Sequence, residues 1–360
     1  MLDFKALTGI KIDKPDKISY ESVRKTWDII SKPIDGLGDF EKIICRIAAI
    51  QRTDRPDISK RATLIFCADN GIVEEGISQS GKEITLSVAR ALGSGISSAC
   101  TLAKSAGVTV IPVDVGIDTD ESILGVRNMK VRKGTENFLK APAMTESEAL
   151  LAIEHGIELV KELSNDGVKI ISTGEMGIGN TTTTSAVLSA LLNMDSDELT
   201  GRGAGLSDEG LARKKLVIKK GIEKYSFDNI KDPKERAFEI LRSLGGLDIA
   251  ALSGAFIGGA VFHVPMVIDG VISSAAALIA ETLLPGVRDY LVPSHKGREK
   301  GNEQALSKLG LEPLINGNMA LGEGTGAIML FPLLDSVMFY YEHGAKFSDY
   351  NIDEYKRFDK

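Results

Sequence analysis

Cysteine is scarce in this 360-residue chain, and the three present stand far apart. Cys45, Cys67 and Cys100 build neither a CxxC pair nor a disulfide framework, which predicts a reduced, cytoplasmic protein. Histidine is nearly as rare. His155, His263, His295 and His343 show no HxxxH or HxH spacing, so the sequence offers no zinc site. A long basic run is missing too, and the net charge is −7, which argues against nucleic acid as the main partner. The opening Met-Leu-Asp-Phe-Lys has no apolar core of the kind a secretory signal carries. Long uncharged runs are absent with one exception: residues 249–268 hold no Asp, Glu, Lys or Arg. That is about the length needed to span a bilayer. Ser253, three glycines, His263 and Pro265 interrupt it. Pro265 divides it into a small-residue helical part, 249–261, and a short β-like part, 264–268. The expectation is a buried helix and strand, not a membrane span.

What is present fits one large domain, or a large domain plus a small one, with 43% hydrophobic residues to fill a core. Short apolar runs end in Asp, Gly or Glu: residues 62–69 (ATLIFCAD), 108–116 (VTVIPVDVG), 168–175 (VKIISTGE), 264–270 (VPMVIDG) and 290–293 (YLVP). Helical stretches lie between them, at 83–105, 146–163 and 208–225. Repeated strand, polar loop and helix predict an α/β fold, a parallel Rossmann-like sheet flanked by helices. Ligands then bind beyond the carboxyl ends of the strands, where Asp69, Asp114, Asp269 and the glycine loops should fall. The chain ends differ. Residues 2–30 read as an amphipathic helix with Trp27, Ile29 and Ile30 on its apolar stripe. Residues 328–343 read as an apolar helix that Pro332 interrupts. The expected division is a large catalytic domain, 31–310, and a small helical domain from 1–30 and 311–360.

Two segments set one glutamate among glycines: residues 174–184 (GEMGIGNTTTT) and 321–327 (LGEGTGA). Glycine lets a ligand approach main-chain N–H groups, and a carboxylate beside such a ligand can take a proton from it. The first segment follows a strand and opens a helix, as a phosphate- or ribose-binding turn does. It imitates GxxxxGK[ST], but Asn180 stands where the lysine belongs, which argues against a nucleotide triphosphatase. Residues 201–205 (GRGAG) form a second glycine loop, with Ser207 as cap of the next helix and Arg202, Arg213 and Lys214 as nearby cations. Glu323 has two open readings: a partly desolvated general base, or an exposed loop glutamate at a helix start. Asp69-Asn70-Gly71 reads as a turn, and His295 as a loop histidine, at the site or on the surface.

Together these fragments resemble the nicotinate-nucleotide:5,6-dimethylbenzimidazole phosphoribosyltransferase family. The matching pieces include GEMGIGNTT at 174–182, GRG at 201–203, DEGLARK at 208–214, IDG at 268–270, Ser294-His295, LGLEPL at 309–314 and LGEGTGA at 321–327. The resemblance implies an α/β large domain, a small helical domain from both chain ends and a homodimer. It implies transfer of phosphoribose from nicotinate mononucleotide to an aromatic base, giving an α-ribotide and nicotinate, with no metal or other cofactor. By the same resemblance, Glu323 is the general base and Glu175 sits near the ribose. Gly174, Met176, Gly177, Ile178, Gly179, Asn180, Thr181, Gly201, Arg202, Gly203 and Lys214 hold phosphate and ribose. Asp69, Val88, Asp269 and Leu321 complete the substrate site. The chain departs from the family pattern at Asn70, where many relatives carry histidine, and at Val88, where many carry glutamine. Asn302 and Ala320 are further departures. The acceptor is therefore 5,6-dimethylbenzimidazole or a related base. The alternative is one half of a heteromer of paralogues acting on phenolic or purine bases.

Overall fold

The computed structural model describes residues 2–358. Met1, Asp359 and Lys360, the outermost positions of the expected terminal domain, lie outside the described residues. Three helices open the chain: α1 (Phe4–Thr8), α2 (Lys17–Ile29) and α3 (Asp39–Gln51). Strands and helices then alternate. β1 (Arg61–Ala68) leads to α4 (Glu83–Gly93) and α5 (Ser98–Ser105). β2 (Thr109–Gly116) leads through the short β3 (Arg127–Asn128) to α6 (Glu146–Asn165). β4 (Ile170–Met176) runs into α7 (Asn180–Leu192), followed by α8 (Ser196–Leu199), α9 (Asp208–Tyr225), α10 (Pro233–Leu244) and α11 (Leu247–Val261). β5 (Met266–Ile268), α12 (Val271–Leu283), β6 (Leu291–Pro293), β7 (His295–Gly297), α13 (Lys300–Leu309), β8 (Ile315–Met319) and α14 (Thr325–His343) complete the order.

Six strands form one parallel sheet in the order β3-β2-β1-β4-β5-β6, and β7 pairs with β8 in a small parallel sheet of its own. Strand side chains alternate between faces, and the core divides accordingly. Leu64, Phe66 and Ala68 of β1, with Ile171, Met266 and Leu291, join a cluster under α6, α7, α10, α11 and α12. Ile65 and Cys67, with Ile170, Val267 and Val292, face a second cluster built from α2, α3, α5 and α14. Helices thus cover both faces, and apolar strands pack on either side, as a parallel sheet requires. The uncharged run resolves into α11, a spacer and β5, all buried or nearly so. Among the described residues no helix is long and apolar enough to cross a membrane.

Several elements differ from their sequence pattern. The stretch 83–105 is two helices, because Gly95 turns at φ +74 and Ser97 caps α5 through the Cys100 N–H. The N-terminal stretch is likewise broken: residues 9–16 are not helical, and Asp16 starts α2 by accepting from the Ser19 N–H. α1 packs on the first cluster, with Phe4 5.0 Å from Phe238, whereas Trp27 of α2 belongs to the second. Pro332 does not interrupt α14, which runs through it. A proline inside a helix removes one backbone hydrogen bond; burial of Ile328, Leu330, Phe331 and Leu334 around it offsets that loss. Asp114 lies within β2 and is structural: its carboxylate accepts from the Gly116 and Ile117 N–H groups and pairs with Lys130.

Candidate active site

The two glutamate–glycine segments meet. A Cβ on Gly174, in β4, would lie 2.6 Å from the Gly324 nitrogen, so only glycine permits this approach. Gly322 and Gly324 take positive φ, and so does Glu323 between them, at +58. Such a φ is uncommon for a residue with a side chain, and it turns Glu323 out of the line of the loop. Strand β4 and the start of α14 thereby bring Glu175 and Glu323 to one place, with Gly322 between them. A Cβ there would stand 3.3 Å from Glu175 Oε1.

Glu175 lines a cavity of about 260 Å³ with Met176, Gly177, Ile178, Asn180 and Thr181 from the first glycine loop. Gly203, Asp269, His295, Glu299 and Leu321 contribute to the other walls. Glu175 keeps part of its surface exposed. Desolvation pushes its carboxyl up to about 8, helped by the neighbouring charges of Asp248, Asp269 and Glu323 and opposed by a hydrogen bond from Asn180. Glu323 stands outside the cavity wall, on the α5 side of Gly322. Its Oε2 accepts from the Ala99 N–H at 3.4 Å. It is half-buried, and desolvation raises its carboxyl, opposed by that N–H and by Ser97.

The phosphate-sized part of the site lies next door. A pocket of about 80 Å³ is lined by Gly177 through Thr181, by residues 202–206 and by Lys214. Lys214 is 1% exposed, and its Nζ donates to Thr181 Oγ1 at 2.9 Å. Desolvation lowers its ammonium to about 8, with Glu299 opposing. A buried lysine with no carboxylate bonded to it, beside two glycine turns and the N-terminus of α7, is built to receive an anion. Arg202 lines this pocket, but its guanidinium is engaged by its own loop, through the Leu206 carbonyl and Asp208. Gly201 packs on the Glu299 carboxylate, and Gly203 donates its N–H to it at 3.2 Å.

Asp269 is buried at the cavity, where its Oδ1 accepts from the Ala327 N–H at 2.9 Å and so anchors the start of α14. Burial raises its carboxyl, and His295 opposes this. Asp69 and Val88 lie outside both cavities. Asp69 is buried, accepts from the Asp118 N–H and keeps Oδ1 without a donor. Val88 packs in the second cluster, which also takes in Met176. Residues that sequence reasoning missed or left open also gather here. His295 is buried, bonds Ser294 at 2.9 Å and lies against Gly326. Glu299 stands between two cations, with Gly297 and Gly301 two residues to either side as its only, weak signal. Asp248 carried a sequence signal, an acid at the mouth of the uncharged run, and it lies buried beneath Glu175 and Asn180. Among the described residues, no group of three His, Cys, Asp or Glu side chains is arranged to hold a metal ion.

Residues 12–352 match the sequence model of a family described as phosphoribosyltransferase. A protein named nicotinate-nucleotide–dimethylbenzimidazole phosphoribosyltransferase, from Acetivibrio thermocellus, is 44% identical over 93% of this chain and 94% of its own length. One of the same name from Ruminiclostridium cellulolyticum is 41% identical over 93% and 94%. A crystal structure of CobT from Thermus thermophilus superposes with a TM-score of 0.86 at 33% identity, over 93% of this chain and 99% of that one. Likeness on this scale, in sequence and in structure and over more than nine-tenths of the chain, shows the family: the chain belongs to the nicotinate-nucleotide–dimethylbenzimidazole phosphoribosyltransferase family.

Proposed function

We propose that this protein moves the 5-phosphoribosyl group of nicotinate mononucleotide to 5,6-dimethylbenzimidazole or a closely related base, giving an α-ribotide and nicotinate for cobamide assembly. The observation that carries this reading is the contact of Gly174 with Gly324, which sets two glutamates beside an anion pocket holding a buried lysine. Phosphate lies on Lys214 and the main chain of Gly177–Thr181 and Gly203, and ribose lies along Gly174 to Met176 and Asp269. Arg202 lines that pocket, and Gly201 supports it from behind, against Glu299. The acceptor base lies on the Glu323 side, near Met176, Leu321 and Val88.

In the reaction one ring nitrogen of the base attacks C1′ with its lone pair. The N–H of the other ring nitrogen gives its proton to Glu323. The C1′–N bond breaks and its electrons return to the pyridinium ring, which leaves as nicotinate. Attack opposite the leaving group inverts β to α. Glu175, once ionised, faces the positive charge that develops on the sugar. Glu323 suits the role of base because burial lifts its carboxyl towards the working range.

We also propose a homodimer in the cytoplasm; three free, buried cysteines support a reduced compartment. The chain ends, 1–30 and 311–360, are proposed to form a small helical domain on a 31–310 core. Packing of Trp27 at 4.9 Å from Tyr341 supports the union of the two ends, with α3 alongside. The test is purified protein with nicotinate mononucleotide and a panel of 5,6-dimethylbenzimidazole, other benzimidazoles, adenine and p-cresol. The expected products are an α-ribotide and free nicotinate. No product with any acceptor would overturn the stand-alone enzyme and point to a missing partner chain.

A further inference from the structure

Beneath the first glycine loop lie two acids, Glu175 and Asp248, that no Lys, Arg or His side chain bonds among the described residues. Asn180 Nδ2 donates to Glu175 Oε2 and, at 3.3 Å, to Asp248 Oδ2. One amide thus spans two carboxyls. Asp248 is completely buried, at the first turn of α11, and its other oxygen accepts from the Ile249 N–H. Asn70 Oδ1 is buried nearby with no donor. It and Asp248 Oδ1 crowd one point, 2.6 and 2.4 Å from where a Gly246 Cβ would stand. Asp248 Oδ1 has the Ile249 N–H as its donor, whereas Asn70 Oδ1 has none, in an interior where buried polar atoms are paired almost without exception.

The other groups facing this pair are acids as well. Asp69 faces Asp248 from the end of β1; Asp269, after β5, and Glu323, before α14, face Glu175. Cys67 of β1 lies behind, with its thiol raised by burial and by Asp114, Glu175, Asp248 and Glu323. The cations nearest the cavity bond other groups: Lys214 donates to Thr181, and Arg298 to the Asn318 carbonyl. Two interacting carboxyls in such surroundings do not both ionise; they share a proton.

We propose that Asp248 is a positioning residue that, held beside Glu175 by the shared Asn180 amide, keeps Glu175 protonated in the empty site by its charge, and that this proton leaves when a pyridinium nucleotide binds. The inference rests on the phosphoribosyl-transfer reading above. It gives the site a preference for a cationic nucleotide ring over a neutral one. The cation replaces the proton as the partner of Glu175, and the ionised carboxylate then faces C1′ before the glycosidic bond breaks. The raised carboxyls of Glu175, to about 8, and Asp248, to about 6, agree with one proton held at neutral pH. Desolvation comes first among the causes for Glu175 and the Asp248 charge second.

The experiment is titration calorimetry of the full chain with nicotinate mononucleotide in buffers of different ionisation enthalpy, from pH 6 to 9. At neutral pH wild type is expected to release close to one proton per site more with nicotinate mononucleotide than with the mononucleotide whose ring is a neutral 1,4-dihydropyridine, both phosphates acting alike on Lys214. This difference declines towards zero as the pH passes the range where Glu175 ionises by itself. Asp248→Asn removes the second cause, so the release profile shifts to lower pH by on the order of one unit. In Glu175→Gln the two nucleotides are expected to exchange equal numbers of protons, and the wild-type comparison of the two rings needs no variant to fold. Equal release with the charged and the neutral ring, or an unshifted profile in Asp248→Asn, overturns the inference. Failure of nicotinate mononucleotide to bind at all sinks the phosphoribosyl-transfer reading itself, and the inference with it.

Discussion

Glu323 and Lys214 invite the sharpest tests at the scale of single residues. Replacing Glu323 with Gln keeps the shape of the loop and removes the proton acceptor. The expected result is a fall in kcat of about 10²- to 10⁴-fold, with little change in KM for nicotinate mononucleotide, read from initial rates. The same residue sets a pH dependence. Its folded carboxyl is raised and it works deprotonated, so kcat climbs with pH along an acid limb lying above the ordinary carboxylate range. A limb at the ordinary position would remove Glu323 as the base. Lys214 acts in the opposite direction. Its ammonium is lowered to about 8 in the empty site, so affinity for the phosphate weakens as pH rises through that value. Lys214→Met is expected to raise KM for the nucleotide by about 10- to 100-fold, the effect of losing one charge-assisted bond. These residues were legible because glycines or a motif surround them. His295 and Glu299 were not, since a lone polar residue after a short strand reads the same at the surface or in a site. Asp248 could have been flagged, because an acid beginning an uncharged helix must be buried with a purpose or a partner.

Elements place these residues, and glycine decides how closely they meet. A Cβ on Gly174 would press on the Gly324 nitrogen, and one on Gly326 would lie 2.2 Å from the His295 ring. Neither backbone nor a ring held by Ser294 can yield cheaply. Gly174→Ala is expected to push β4 and the start of α14 apart by a fraction of an ångström to an ångström. Misplacement of that size lowers kcat/KM by about 10²-fold, with the far-UV circular dichroism unchanged. Normal turnover in Gly174→Ala would mean that the contact does not matter for catalysis. At this scale the sequence was informative where apolar runs ended in turn residues, and five of its strands and the long α9 follow that pattern. It was less informative where a single residue broke a period. Gly95 divides what reads as one helix, because its φ of +74 is open to glycine and strained for others. Pro332 reads as an interruption, yet α14 continues because burial on the second cluster outweighs one missing bond.

At the scale of the whole molecule, α14 joins the site to the second cluster. Its first turn is anchored by Asp269, and its last turns bring Tyr340 and Tyr341 to within 6.4 and 4.9 Å of Trp27. Packing between the two chain ends, which the apolar patterns at 2–30 and 328–343 led one to expect, therefore supports the helix on which Glu323 depends; the particular pairing of Trp27 with Tyr341 is what the linear pattern does not specify. Trp27 is completely buried, and its Nε1 has no acceptor. Two terms set the outcome of substitution. Truncation to alanine leaves a large cavity and should lower stability by about 3–5 kcal/mol. Phenylalanine loses less apolar contact and also removes the unpartnered N–H, whose burial is unfavourable by about 1–3 kcal/mol. Trp27→Phe is therefore expected to stay much closer to wild type than Trp27→Ala in denaturant unfolding. Because α14 carries the effect to the site, Trp27→Ala should also lose part of its affinity for nicotinate mononucleotide at a temperature where it remains folded. Saturating nucleotide, at about a hundredfold over its Kd, should in turn restore about 2.7 kcal/mol of stability. Unchanged nucleotide affinity in a folded but destabilised Trp27→Ala protein would show that the helical cluster stabilises the chain without shaping its site.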